Sequence, residues 1–230
     1  MFTMIRPHET AANPQLMRAI FRLRKRVFHD RLNWRVEVRG NEERDVYDDL
    51  EASYLVWCSE DRSRLYGVVR LMPTDGPTLL HDVFWATHGR NADLIADDIW
   101  EGTRMCLDDE LLARDFPDMD VGRGFSLLLL ALCEAALAFG IRRLVSNFEP
   151  MMSRVYRRAG VRMQMHGSAD GYGRRPVCCA SFVVSDQVRR DMRQALGVSA
   201  PLLRPMARLA PCPMPNPLPI PVTRVPAMMH

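Results

Sequence analysis

Apolar residues recur along the chain with two spacings, every second residue in some segments and every three to four residues in others. The first spacing predicts strands at 4–6, 53–59, 65–72, 99–107, 143–148 and 177–184. The second spacing predicts helices at 13–28, 124–139, 151–159 and 186–196. Elements in this order predict one mixed sheet flanked by helices, an α/β (α+β) sandwich.

The composition changes abruptly near residue 198. Segment 199–230 holds nine of the sixteen prolines in the 230-residue chain. Proline interrupts helices and removes ladder donors, so this segment is expected to be disordered. We therefore predict one domain at 1–198, large enough to bury its own core, and a proline-rich tail at 199–230.

Charge and cysteine content exclude several classes of protein. A net charge of +3 is too small to indicate nucleic-acid binding, although all basic residues except Lys25 are arginine. The six cysteines form no C-x-x-C pair, which predicts reduced thiols and no metal site. No signal peptide is visible, and the apolar run 125–139 is short and carries Glu134. We expect a cytoplasmic protein that binds neither membrane nor nucleic acid.

Charged residues occur where apolar side chains belong. Arg24 falls in the middle of the apolar face of the first helix, and Arg70 lies inside a strand that is apolar on both faces. Glu101 and Arg104 interrupt the strand 99–107, three residues apart, a spacing that points side chains to opposite faces of a regular strand. If both line one cavity, a bulge must intervene, and we predict it at Gly102.

The acidic segment around Tyr47 offers partners for these arginines. Asp45 and Asp48 flank Val46 and Tyr47, whose apolar side chains are expected to fold the segment onto the core. A buried salt-bridge network without further function would explain the pattern. Because such a network is costly to desolvate, clustered buried charge favours a site for a polar, charged ligand.

These positions resemble the residue pattern of the acyl-homoserine-lactone synthases, the LuxI-type autoinducer synthases. The agreeing residues are Arg24, Phe28, Trp34, Asp45, Asp48, Arg70, Phe84, Glu101 and Arg104. The segments FRLRKRVFHDRLNW, RLMPTDGPTLLHDVF and WEGTR are similar to three family motifs, and the likeness covers about residues 5–190. The resemblance implies a GNAT-like fold, a mixed, mostly antiparallel twisted sheet with a V-shaped splay.

The resemblance also implies a reaction. The α-amine of S-adenosylmethionine attacks an acyl thioester of acyl carrier protein or coenzyme A, and the methionyl carboxylate then closes a lactone and expels methylthioadenosine. Glu101 suits the general base, because the amine must lose a proton. The resemblance implies that S-adenosylmethionine binds as a substrate and not as a cofactor. The residues that it implies for this binding are Arg24, Phe28, Trp34, Asp45, Asp48, Arg70 and Arg104.

The acyl group is expected between the splayed strands 99–107 and 143–148. Candidate pocket residues are Phe84, Met105, Val145, Phe148, Met151, Met152 and Val155. The family's 3-oxo-acyl enzymes commonly have threonine at the position aligned with Val145, so valine favours an unsubstituted or branched acyl group. Arg154, Arg157 and Arg158 form a candidate basic patch for the carrier, and a solvated helix face explains them equally well.

Three other functions stay open. A GNAT-type enzyme that acylates another amine would release no methylthioadenosine. A non-catalytic S-adenosylmethionine-binding module with a partner-recruiting tail would bind its ligand without consuming a thioester. A nucleic-acid-binding regulator is suggested only by the pI of 8.6 and the arginine content.

Overall fold

The computed structural model describes residues 1–204, which form one layered α/β unit. The strands are β1 (Phe2–Ile5), β2 (Val38–Arg39), β3 (Glu42–Glu43), β4 (Ser53–Cys58), β5 (Leu65–Pro73), β6 (Ile99–Leu107), β7 (Arg143–Phe148), β8 (Met163–Ala169) and β9 (Val177–Val183). The α-helices are α1 (Pro14–Arg24), α2 (Leu79–Asp82), α3 (Asp109–Asp115), α4 (Val121–Ala138), α5 (Met152–Arg158) and α6 (Asp186–Leu196).

Seven strands form one sheet in the order β1-β4-β5-β6-β7-β9-β8, and β2 pairs with β3 separately. Among these seven strands only the neighbours β6 and β7 pair in parallel, and their pairing stops after three residue pairs, the last being Glu101 with Val145. The two strands part beyond that pair. A mostly antiparallel, splayed sheet flanked by helices confirms the predicted fold class.

The sheet has a core on each face. On one side α4 packs against residues such as Leu55 and Val69, and on the other side α1 packs against Tyr54 and Val56. By length and composition α4 is apolar enough to cross a bilayer, but 61% of it is buried inside the fold. Burial in the main core explains its apolar character, since a core helix is hydrophobic on most of its surface.

The first helix changes form near the end of its predicted span. Regular α-helix ends at Arg24, and Lys25–Arg31 continue as a π-helix. A π-helical turn rotates the following side chains relative to an α-helix, and such turns are frequent at functional sites. Phe28 lies in this turn and is buried.

A bulge interrupts the pairing of β5 with β6, but the predicted position was wrong. Gly102 pairs regularly with Leu71, whereas the register shifts between Val68 and Arg70. The irregular residue on β6 is Arg104, whose φ of 53° lies in the left-handed region. The left-handed residue turns the Arg104 side chain to the face that carries Glu101, so both reach one site although three residues separate them.

The predicted domain end at residue 198 does not coincide with the end of packed structure. Leu203 forms a parallel bridge with Phe2, and the backbone N–H groups of Leu202 and Leu203 donate to Glu134 Oε2 at 2.8 and 2.9 Å. The first residues of the predicted tail are therefore part of the fold. The expectation of disorder concerns mainly 205–230, which lie outside the described residues, as does Cys212.

Candidate active site

Arg24 is a fully buried charge with carboxylate partners on two sides. Its NH1 and NH2 donate to Asp48 Oδ1 and Oδ2 at 2.6 and 2.9 Å, and its Nε donates to Glu43 Oε2 at 2.5 Å. All three side chains are fully buried. Tyr54 O–H also donates to Asp48 Oδ1, at 2.7 Å. The predicted pairing of Arg24 with a buried carboxylate is present twice.

Arg70 and Arg104 extend this network. Arg70 NH1 donates to Asp45 Oδ1 at 2.5 Å and to Asp48 Oδ1 at 2.9 Å, and its Nε donates to the Thr103 hydroxyl. Arg104 Nε donates to Glu43 Oε1 at 3.1 Å, and its NH2 donates to Asp45 Oδ2 at 3.0 Å. Three arginines thus face three carboxylates, and the structure leaves no arginine of the three uncompensated.

Glu43 is the network member that the sequence analysis missed. It bridges Arg24 and Arg104 and is fully buried on β3. Glu43 lies two residues before Asp45, and residues at this spacing in an extended segment point to the same side. This spacing was the signal that could have placed Glu43 in the network. The surrounding run of acidic residues, without an apolar rhythm, hid it.

The ion pairs shift the titration of their members. Burial alone would raise the pKa of Asp48, but the hydrogen bonds and charge of Arg24, with the charge of Arg70, hold that pKa well below its usual range. Burial alone would lower the pKa of Arg24, and its carboxylate partners Asp48 and Glu43 raise it instead. Asp48 and Arg24 are therefore both ionised at neutral pH.

Glu101 lies beside the network but outside its ion pairs. Its side chain is fully buried, and neither carboxylate oxygen accepts a hydrogen bond of normal geometry from residues 1–204. Burial raises the pKa of Glu101 to about 7, against the nearby N–H groups of Leu80 and Leu79 and the charges of Arg70 and Arg104. A carboxyl group that titrates near neutrality can accept a proton during a reaction.

Two aromatic side chains border the charged network. The Phe28 and Trp34 rings lie 5.0 Å apart between centroids, and the Arg104 guanidinium lies 5.5 Å from the Phe28 ring centre. Trp34 Nε1–H donates to Glu149 Oε1 at 3.3 Å, which ties the loop after the π-helix to the end of β7. The structure thus brings together all seven residues that the resemblance assigned to S-adenosylmethionine, with Glu101 next to them.

An apolar cleft opens where β6 and β7 separate. It encloses about 560 Å³ of empty space, including solvent at its mouth. Its lining includes Val69, Gly102, Met105, Leu129, Leu132, Cys133, Leu144, Val145, Ser146, Tyr156, Val161, Phe182, Val183, Val184, Val188 and Met192. Met105 and Val145, both predicted for the acyl pocket, lie in this lining, and α4 and α6 supply walls that the sequence did not indicate.

The other predicted pocket residues lie elsewhere. Phe148 packs in the main core on the same side of the sheet as the cleft, with its ring 5.0 Å from that of Tyr156, but it does not line the cleft. Met151 is exposed. Met152 and Val155 lie on α5 at the margin of the main core, and Phe84 packs against Tyr172.

The predicted carrier patch lies on the surface of α5. Arg154, Arg157 and Arg158 are all exposed. Arg157 Nε donates to the backbone carbonyl of Ser153. Exposure agrees with a docking surface and equally with a solvated helix face, so the assignment to the carrier stays a prediction.

Comparison with known proteins defines the class of protein. The autoinducer synthase family model matches residues 8–192. An acyl-homoserine-lactone synthase of Rhizobium etli is 38% identical over 144 residues, which are 62% of this chain and 66% of the relative. One from Agrobacterium fabrum (strain C58) is 30% identical over 171 residues, 74% of this chain and 79% of the relative.

A solved structure agrees with this class. The CoA-dependent acyl-homoserine lactone synthase BjaI, solved with SAM and isopentyl-CoA, superposes with a TM-score of 0.78 at 22% identity, over 91% of this chain and 95% of its own. This likeness confirms the GNAT-like fold that the resemblance implied. The chain belongs to the autoinducer synthase family. It is an acyltransferase of the acyl-homoserine-lactone synthase type.

Proposed function

We propose that this protein makes an N-acyl-homoserine lactone in the cytoplasm from S-adenosylmethionine and an acyl thioester of acyl carrier protein or coenzyme A. One observation carries the proposal: Glu101, a buried carboxylate unpaired among residues 1–204, lies beside the charged pocket in the last pair before β6 and β7 part, and its neighbours Gly102 and Val145 line the apolar cleft. The pocket suits a charged amino-acid substrate and the cleft suits an acyl chain. BjaI, described as CoA-dependent and solved with SAM and isopentyl-CoA, supports both substrate classes.

The first step is transfer of the acyl group to the amine. The α-amine of S-adenosylmethionine attacks the thioester carbonyl carbon, a C–N bond forms and the C–S bond breaks. Glu101 accepts the proton that the amine loses and returns it to the sulfur of the departing thiol. A pKa of about 7 suits both proton transfers at neutral pH.

The second step closes the lactone without further proton transfer. A carboxylate oxygen of the methionyl group forms a bond to its own γ-carbon, and the bond from that carbon to the sulfonium sulfur breaks. The electron pair stays on sulfur, which leaves as neutral methylthioadenosine. The negative carboxylate and the positive sulfonium cancel, so atoms and charge balance.

Differences in exposure divide the charged network into framework and contact residues. Arg24, Asp48 and Glu43 are fully buried and hold the pocket together. Arg104 and Asp45 retain 10% and 14% side-chain exposure, so they are the members a substrate can reach. Arg104 then faces the methionyl carboxylate and Asp45 the amine, while Phe28 and Trp34 supply aromatic faces for the sulfonium or adenine.

The acyl chain occupies the apolar cleft, whose walls are built mainly from aliphatic side chains. The proposal needs no cofactor, because the thioester and the sulfonium are the activated groups. Arg154, Arg157 and Arg158 remain the proposed contact for the phosphates or the acidic surface of the carrier. Val145 at the cleft favours an unsubstituted or branched acyl group.

A product assay tests the proposal. The purified protein is incubated with S-adenosylmethionine and a panel of acyl-coenzyme A and acyl-carrier-protein thioesters. The products are then separated, and identified and quantified by mass spectrometry. We expect acyl-homoserine lactone and methylthioadenosine in equal amounts. Acylation of another amine without methylthioadenosine would support the GNAT alternative, and ligand binding without thioester consumption would support a non-catalytic module. Either outcome contradicts the proposal.

A further inference from the structure

Asn147 on β7 carries a buried hydrogen-bond donor for which the structure supplies no acceptor. Its side-chain Oδ1 accepts from the Thr87 hydroxyl at 2.8 Å. Its Nδ2 is buried and has no hydrogen-bond partner within the described part of the chain. A buried unpaired donor is costly, and such groups in folded proteins call for a functional explanation.

The position of Asn147 relates this donor to Glu101. Glu101 pairs with Val145 in the last pair between β6 and β7. Side chains two residues apart on a strand point to the same face, so Asn147 lies on the Glu101 side of the sheet, about 7 Å further into the splay. On the other edge of β7 Asn147 pairs with Cys179 of β9, which fixes its backbone.

Thr87 contacts the oxygen end of the Asn147 amide. The Thr87 hydroxyl lies 2.8 Å from Asn147 Oδ1 and 2.7 Å from the carbonyl oxygen of Phe84, and its single proton can serve either acceptor. The structure places Oδ1, and not Nδ2, against this hydroxyl, so the Nδ2 donor stays unpaired among residues 1–204.

We propose that Asn147 Nδ2 donates a hydrogen bond to the carbonyl oxygen of the acyl thioester and stabilises the negative charge that this oxygen gains when the amine attacks. The inference rests on the proposed function and adds a catalytic residue to it. Glu101 then takes the proton from the attacking nitrogen, while Asn147 stabilises the oxygen of the carbonyl carbon that this nitrogen attacks. Removing one preorganised donor of this kind lowers kcat by roughly 10²- to 10³-fold.

Steady-state kinetics of N147A and N147D separate a donor from an acceptor or a purely structural role. We expect N147A to lose roughly 10²-fold in kcat with little change in the affinity for S-adenosylmethionine. N147D has the same shape but offers only acceptors, so we expect it to lose at least as much as N147A. Q164A removes an exposed amide on β8, and we expect it to keep wild-type kinetics. Activity of N147D near that of the wild type would overturn the proposal, since the residue would then accept from the amine.

A binding measurement checks the same contact without turnover and covers the case in which N147D fails to fold. Two unreactive analogues of the acyl thioester are compared, each attached to the same carrier, coenzyme A or acyl carrier protein. One is a 2-oxoalkyl thioether, which keeps the carbonyl, and the other is an alkyl thioether, which lacks it. N147A should bind the analogue with the carbonyl more weakly than the wild type does, and should bind the alkyl thioether equally well. If N147A and the wild type have the same affinity for each analogue, the proposal is overturned. The wild-type product assay tests the proposed function independently: a wild type that makes lactone while N147A is unimpaired contradicts this inference alone.

Discussion

Arg24 and Asp48 face each other as a two-pronged ion pair at the centre of the fold, with N–O distances of 2.6 and 2.9 Å and no exposure of either side chain. The pair joins α1 to the segment before β4. Buried pairs of this kind add little net stability, but removing one partner leaves the other charge without compensation. The network therefore keeps the substrate pocket intact and makes the fold sensitive to the loss of any member.

Replacing Asp48 tests this sensitivity. D48N leaves Arg24 and Arg70 short of one negative charge in a buried site, so we expect the free energy of unfolding to fall by about 3–5 kcal/mol in urea titrations. D49N is the matched control, because Asp49 is 61% exposed and pairs with Arg44 at the surface. That variant should change stability by less than about 1 kcal/mol. Similar losses in both variants would contradict the buried network.

Glu101 gives the stability of the protein a characteristic pH dependence. The pKa of its carboxyl group rises from 4.5 in the unfolded chain to about 7 in the folded protein. Between these values the unfolded chain releases a proton that the folded protein keeps, so stability falls as pH rises through this window and is level above it. A rise from 4.5 to about 7 corresponds to roughly 3 kcal/mol.

The E101Q variant isolates this effect. It should match the wild type in urea unfolding near pH 4.5 and exceed it by up to roughly 3 kcal/mol at pH 8. If the difference in unfolding free energy between E101Q and the wild type does not increase from pH 4.5 to pH 8, then Glu101 does not ionise at a cost in a buried site.

The cleft predicts how acyl-chain preference changes. Val188 lines it from α6, and V188F fills space that the end of a long chain would use. Each buried methylene contributes about 0.8 kcal/mol, close to a fourfold effect on kcat/KM. We expect a large loss for the longest accepted chains and little change for short ones. V121F, at an exposed position of α4, should leave the preference unchanged, and an unchanged preference in V188F would place the acyl chain elsewhere.

The segment before residue 205 contributes to stability through Glu134. Truncation after residue 204 keeps the N–H groups of Leu202 and Leu203 on the Glu134 carboxylate, and truncation after residue 198 removes them. The shorter chain should be less stable by about 1–3 kcal/mol in urea unfolding, because a buried carboxylate loses two donors. Equal unfolding free energies of the two chains would contradict this role.

The sequence predicted the elements with strong periodicity and the charges that violate it. Arg24 and Arg70 stood out because each occupies an apolar pattern, and both are buried in the network. The strand β8 escaped prediction because Met163–Ala169 mixes polar and small residues at a sheet edge, without clear alternation. Edge strands face solvent and carry a weaker pattern than buried ones.

The geometry of the site depended on features that have no sequence signal. Gly102 was the residue expected to bulge, because glycine adopts unusual backbone angles most easily. The structure instead holds Arg104 at positive φ, a strained conformation that its two ion pairs with Glu43 and Asp45 stabilise. The left-handed residue and the cleft walls from α4 and α6 arise from tertiary contacts far apart in the chain.

The pH dependence of turnover is the most direct test of the account, because it examines the role of Glu101 itself. For the wild type we expect kcat/KM for lactone formation to rise with pH and level off, with an inflection near 7, as the base becomes deprotonated. E101Q should still bind S-adenosylmethionine, turn over about 10²- to 10⁴-fold more slowly and lose the inflection. E134Q, which alters a buried carboxylate outside the site, should keep the wild-type profile. Near-normal turnover of E101Q with an unchanged inflection would contradict the account.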